Sequence, residues 1–294
     1  MPKLKIDIKP SLEKLDLMTK GLVNGKFMGN YASTFKGKGL EFAGYRNYTQ
    51  SDDASTIDWT ASNRSRRLLI KEFIEERNIK VYFLLDSSSK MLLGSTDKLK
   101  VEYAAELIAS FSHAILKAGD LTGLTMFSDN IIKNTLPGNG MKQFYVISDN
   151  LTDVSLYGGK SNIKNAITHA INTFEDNAVL ILVSDFINIE SFEDELKFAA
   201  QKFDLIGIMI RDPIDINLPE GTGQALVEDP ETGERMLISP NKLKILYAKE
   251  TKKEVENLDR MFRNTGADFL PLSTDKPFAK ELINFFKRRS LEWK

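Results

Sequence analysis

The chain has 294 residues, 42% hydrophobic and 28% charged, with a formal net charge of −1. That is an ordinary globular composition, without the basic excess that would draw in nucleic acid or the acidic excess of a disordered chain. Cysteine is absent, which excludes disulfides and thiolate metal sites. No apolar run approaches the ~20 residues needed to span a bilayer. The opening M-P-K-L-K-I-D-I-K-P lacks the apolar centre of a secretory signal. These features predict a cytoplasmic protein with no membrane insertion and no nucleic-acid partner.

In chain order, Ser11 to Thr19 predicts a short helix with Ser11 as its N-cap. Residues 21–44 are rich in glycine and aromatics and read as loop with short extended pieces. The stretch to Lys80 is mildly basic, with Arg64, Arg66 and Arg67 in its second half. Residues 68–75 and 79–85 predict two strands joined by a tight polar turn at Arg77 and Asn78. A β/α alternation follows. It predicts strands over 81–85, 122–127, 131–136 (antiparallel, after the turn S-D-N), 179–183, 205–210 and 268–272. Helices are predicted over 98–116, 141–150, 162–174, 192–202, 242–264 and 277–288. Continuous Val/Ile/Leu runs mark strands covered on both faces, so the expected fold is α/β, with a doubly wound, mostly parallel sheet. Residues 212–240 interrupt the alternation with two short strands around Asp229-Pro230-Glu231-Thr232-Gly233, a β-hairpin insertion. The expected division is an N-terminal extension, residues 1–78, packed on an α/β domain of residues 79–294.

The apolar run V-Y-F-L-L ends at Asp86 and three serines, and a second buried run ends at Ser184 and Asp185. Ser161 lies in the glycine-led loop G-G-K-S-N-I, which opens a helix. Loops at the carboxyl ends of doubly wound strands converge on one crevice. A hard cation such as Mg2+ takes oxygen ligands and is held by one or two carboxylates. Asp86, Ser88, Ser161 and Asp185 are therefore candidate Mg2+ ligands. The same pattern resembles the metal-ion-dependent adhesion site of von Willebrand factor A-like domains, Asp-x-Ser-x-Ser with a later loop Thr and Asp. Asp86 and Ser88 match its first positions, Ser161 stands for the threonine and Asp185 for the last acid. Lys90 replaces the third expected hydroxyl. Its ammonium is expected to stand where the cation would, paired to Asp86 and Asp185, with Ser87 or Ser89 as substitute hydroxyls if a metal is bound.

Upstream, the chain resembles domain-of-unknown-function family 58 in Gly39 to Phe42, Arg46 and Tyr48, Asp52 and Asp53, Ile57-Asp58-Trp59, Asn63-Arg64, Lys71 and Glu75 to Arg77. Ser51 replaces the usual glycine. Arg211-Asp212-Pro213 and the stretch from Glu228 to Glu234 extend the likeness. The resemblance implies a von Willebrand A-like domain with an N-terminal extension, partnered with an AAA+ ATPase of MoxR type in assembling a client complex. From the residues themselves, Arg46 and Arg64 are expected to fork onto Asp52, Asp53 or Asp58. Trp59 is expected to bury its ring beside them. That block reads as a fastening network, a recognition surface or a carboxylate cluster. His113 and His169 fall in helical stretches, and neither a P-loop nor a Gly-x-Ser-x-Gly elbow is present. Three functions follow: a non-enzymatic interaction module, a Mg2+-dependent phosphoester hydrolase, or an assembly factor with a dead metal site.

Overall fold

The computed structural model describes residues 40–49, 52–75, 79–187, 189–218, 221 and 223–292. The helix expected over 11–19 lies outside them. The described residues divide into two compact units, one within residues 28–78 and the other from residue 79 onward.

In the smaller unit, β1 (Leu40–Asn47) pairs antiparallel with β2 (Leu69–Glu75), from Leu40 opposite Glu75 to Asn47 opposite Leu69. A register shift falls between Phe42 and Gly44. The two strands expected over 68–75 and 79–85 both form, but β2 takes its partner from before it in the chain. The connection between β1 and β2 carries a 3-10 turn (Ala54–Thr56) and helix α1 (Trp59–Ser65). Asp58 caps α1, accepting from the Thr60 and Ala61 amides at 2.9 and 3.0 Å. Arg66, with φ 55°, ends the helix in the left-handed region.

The larger unit is built on a six-stranded sheet. Its strands are β3 (Lys80–Asp86), β4 (Leu121–Phe127), β5 (Ile131–Gly138), β6 (Val179–Ser184), β7 (Asp204–Arg211) and β10 (Asp268–Ser273). Their order is β10-β7-β6-β3-β4-β5, parallel except for the edge strand β5. This is the expected mostly parallel α/β sheet. Counted along the sheet, it is the doubly wound order 3-2-1-4-5-6, which reverses between β3 and β6.

Side chains alternate across the central strands. Tyr82 and Leu84 join a core with Ile163, Ile167, Leu196 and Phe262, from helices α4 (Ile163–Thr173), α5 (Glu193–Lys202) and α7 (Pro240–Asn264). Phe83 faces the other way, edge-on to Phe111 of helix α2 (Lys100–Lys117) at 5.8 Å. Phe111 in turn meets Phe286 of α8 (Phe278–Glu292). Phe83, Leu84 and Leu85 are fully buried; each such side chain contributes roughly 1.5–3 kcal/mol. Helix α3 (Gly140–Thr152) follows the edge strand. After β7, Asp212 caps the short helix α6 (Pro213–Ile216). The insertion then forms β8 (Ala225–Glu228) and β9 (Arg235–Ile238), a two-stranded sheet of their own.

Candidate functional site: a charged crevice at the sheet reversal

The reversal between β3 and β6 brings Asp86 and Ser184, the last residues of those strands, to one crevice. Past Asp86 the chain peels away from β3. The Ser87 amide donates to the Phe127 carbonyl at 2.7 Å, and its hydroxyl donates there at 2.9 Å. The 3-10 turn Ser89–Leu92 follows. Two backbone bonds lace this segment to the glycine-led loop, Gly158 N to Ser87 O at 2.8 Å and Ser89 N to Gly159 O at 3.0 Å. Gly159 has φ 79°, and a Cβ there would press on the Ser128 and Asp129 side chains, so the loop needs glycine at this point.

Asp86 is wholly buried. Its Oδ2 accepts from Ser161 Oγ at 2.6 Å and Ser184 Oγ at 2.7 Å, and its Oδ1 from the Ser88 amide at 2.9 Å. Burial, and then the charge of Asp185, push its carboxyl above the ordinary range; the two hydroxyls and the amide pull back. Asp185 has a different partner. Its Oδ2 lies 2.7 Å from Lys100 Nζ, and its Oδ1 accepts from the Ile187 amide at 3.1 Å. The same ammonium lies 3.0 Å from Asp215 Oδ2. Lys100 is 1% exposed. Burial opposes its charge, but Asp185 and Asp215 outweigh that and hold it above the usual lysine range.

Lys90 points elsewhere. Its ammonium donates to the Ile187 carbonyl at 2.8 Å and lies 3.1 Å from Glu231 Oε2. The other oxygen of Glu231 accepts from the Ser161 amide at 2.9 Å. Glu231 is at the tip of the β8–β9 hairpin, where Asp229 Oδ1 accepts from its amide at 2.8 Å. The expected pairing of Lys90 with Asp86 and Asp185 is thus corrected. Lys100 holds Asp185, serine hydroxyls hold Asp86, and the 3-10 turn aims Lys90 at the hairpin. Lys100, Ser184, Asp215 and Glu231 are the residues that sequence reasoning missed. Two of them carried a signal, Ser184 at the end of the second buried run and Glu231 in the Asp-Pro-Glu-Thr-Gly turn.

The four candidate ligands are brought together, yet their chemistry does not suit a divalent cation. Ser88 Oγ is buried with no partner among the described residues, which is what a metal would leave for itself. Against this, Asp185 is neutralised by an ammonium, the oxygens of Asp86 accept three hydrogen bonds, and a second ammonium replaces the third hydroxyl. Mg2+ demands near-octahedral oxygen ligation, and the Lys100 ammonium would have to leave Asp185 first. Among the described residues no group of three or more acids or histidines is placed to hold a metal.

The signature residues of the smaller unit form surface pairs. Arg46 forks onto Asp52, Nη1 and Nη2 each at 2.7 Å, and holds that carboxyl far below the ordinary range. Asp53 caps the 3-10 turn through the Ser55 amide at 2.9 Å. Asp58, already the α1 cap, is 3.2 Å from Lys71 Nζ and accepts from the Tyr45 hydroxyl at 3.2 Å. The Tyr48 amide donates to the Leu68 carbonyl at 2.8 Å. Two expectations are corrected. Trp59 is 68% exposed, because it opens α1 on a helix whose buried residue is Ser62. Arg64 is exposed in the last turn of the same helix.

Fold and site together define an α/β domain with an ion-paired crevice at its switch point. Over residues 44–257 the chain matches the family described as "Protein of unknown function DUF58", and it belongs to that family. An uncharacterized protein of Mycobacterium tuberculosis is 21% identical over 283 residues, 95% of this chain and 89% of the relative. Another, from Mycobacterium avium, is 26% identical over 133 residues, 45% of this chain and 78% of that one. Among solved structures, the conserved hypothetical protein BatB from Bacteroides thetaiotaomicron is similar with TM-score 0.48 and 17% identity, covering 73% of this chain and 100% of the other. The VWA domain of SpRpn10 is similar with TM-score 0.39 and 14% identity, covering 71% and 95%. A mussel byssus thread matrix protein with a zinc-occupied MIDAS motif gives TM-score 0.38 and 18% identity, covering 46% and 38%. Among the described residues, no helix is long and apolar enough to cross a membrane.

Proposed function

We propose that this chain is a non-enzymatic interaction module whose crevice seats an acidic side chain of a partner, and that the partner is an AAA+ ATPase of MoxR type engaged in complex assembly. The reading rests on one observation: a carboxylate is held between the Lys90 ammonium and the Ser161 amide, one oxygen to each. A charge-assisted bond beside a backbone donor suits a glutamate or aspartate and needs no metal ion. The choice of ATPase comes from the family resemblance and is supported by nothing in the crevice. The other reading of these residues, a Mg2+-dependent phosphoester hydrolase, requires a divalent cation, which the Lys100 ammonium on Asp185 opposes.

Binding of the purified MoxR-type ATPase from the same organism to wild type and to Lys90→Ala tests the proposal. Loss of a charge-assisted hydrogen bond of about 1.5–3 kcal/mol predicts affinity weakened by at least about tenfold. Equal affinity would overturn it. Calorimetric titration with Mg2+ should give no heat from wild type. Binding that vanishes in Asp86→Ala would restore the metal-dependent reading, and Mg2+-dependent phosphatase turnover would restore the hydrolase.

A further inference from the structure

The carboxylate in the seat belongs to the chain itself. We infer that the β8–β9 hairpin is a tethered occupant of the docking crevice, so that a partner enters only by presenting a carboxylate that displaces Glu231. The inference rests on the proposed function, since it concerns the same seat. Glu231 is drawn in at the tip of an otherwise exposed ribbon. Its side chain is 11% exposed, whereas Leu226, Val227, Met236 and Leu237 are 65%, 45%, 67% and 60% exposed. Among the described residues the ribbon pairs only with itself and is not joined to the main sheet. An isolated two-stranded hairpin is marginally stable, so the contacts of its tip add to what fixes the ribbon in place. The tip is shaped for the task. Asp229 accepts from the Glu231 and Thr232 amides and fixes the turn, while Gly233, with φ 72°, closes it. A tethered group competes at an effective concentration near the millimolar range. A weak external carboxylate is therefore excluded until it brings further contacts.

The test uses a fluorescent cyclic peptide carrying this chain's own tip, Glu-Asp-Pro-Glu-Thr-Gly-Glu, titrated into the full chain up to about 1 mM. Binding is read by anisotropy and by the Ser161 amide resonance. Wild type should bind at least about tenfold more weakly than Glu231→Ala, with the isosteric Glu231→Gln between them. Adding Lys90→Ala to Glu231→Ala should abolish binding. Equal affinity of wild type and Glu231→Ala, with loss in the double variant, would overturn the tethered occupant and leave the seat intact. No binding to either Glu231 variant, each shown to be folded by its amide spectrum, would overturn the seat itself. So would binding that ignores Lys90.

Discussion

Lys100 is the cation that sets the charge of the crevice. It is 1% exposed and bridges Asp185 and Asp215 at 2.7 and 3.0 Å. Removing one partner of a buried pair strands the other charge and costs about 3–5 kcal/mol. Lys100→Met should therefore lower unfolding free energy by about that amount in a denaturant titration, and adding Asp185→Asn should recover part of it. This residue was hidden in the sequence. It lies in the first turn of the helix predicted over 98–116, beside Val101, Ala104 and Ala105, and reads as a helix-end lysine. What places it inside is packing: α2 is buried along nearly its whole length, so even its first residue lies in the core. Asp86, Ser88, Ser161 and Asp185 were legible because each ends a strand or precedes a helix at a position the fold class brings together. Their partners were not, since hydrogen-bond choice depends on side-chain reach across elements.

At the scale of elements, the β1–β2 unit shows how a local motif becomes a cap. The Ala61 amide, then Lys71, bring the Asp58 carboxyl from 3.8 down to about 2. A depressed carboxylate stabilises above its unfolded value and loses that contribution as pH falls through its folded value. Protection of α1 should therefore hold above about pH 4 and fade towards about pH 2, followed by amide resonances of Thr60 and Ala61. Asp58→Asn should flatten that dependence. The pairing of β2 with β1 was not legible, because β1 falls in a glycine-rich stretch read as loop with short extended pieces; the strands on either side of residues 76–78 belong to different sheets. In β7, Gly207 allows the closest approach of a helix, because a Cβ there would overlap the Phe262 ring of α7. Gly207→Ala should cost about 1–3 kcal/mol as overpacking, measured by thermal unfolding. Phe262→Leu in the same chain should relieve part of it. A glycine within an apolar run carries no hint of this, since the ring that needs the space comes from 55 positions later.

For the whole molecule, the alternation of runs and amphipathic stretches made the sheet legible in advance, including the antiparallel edge strand and the self-paired insertion. Apolar periodicity is a property of each segment, and the doubly wound order follows from right-handed crossovers. Where the insertion's tip would rest was not written in any period, because that depends on one ion pair. Phe186 is the joint between the two kinds of information. It has φ 51°, a left-handed backbone for a bulky residue, and is buried among Phe192, Phe262 and Phe269. Its carbonyl accepts from buried Arg211 at 3.1 Å, and the next residue supplies the carbonyl that steers Lys90. The carbonyl that receives Lys90 is therefore joined, one peptide bond away, to a residue locked among aromatic rings. A smaller side chain at any of these positions should therefore shift the Lys90 ammonium although none of the rings touches it.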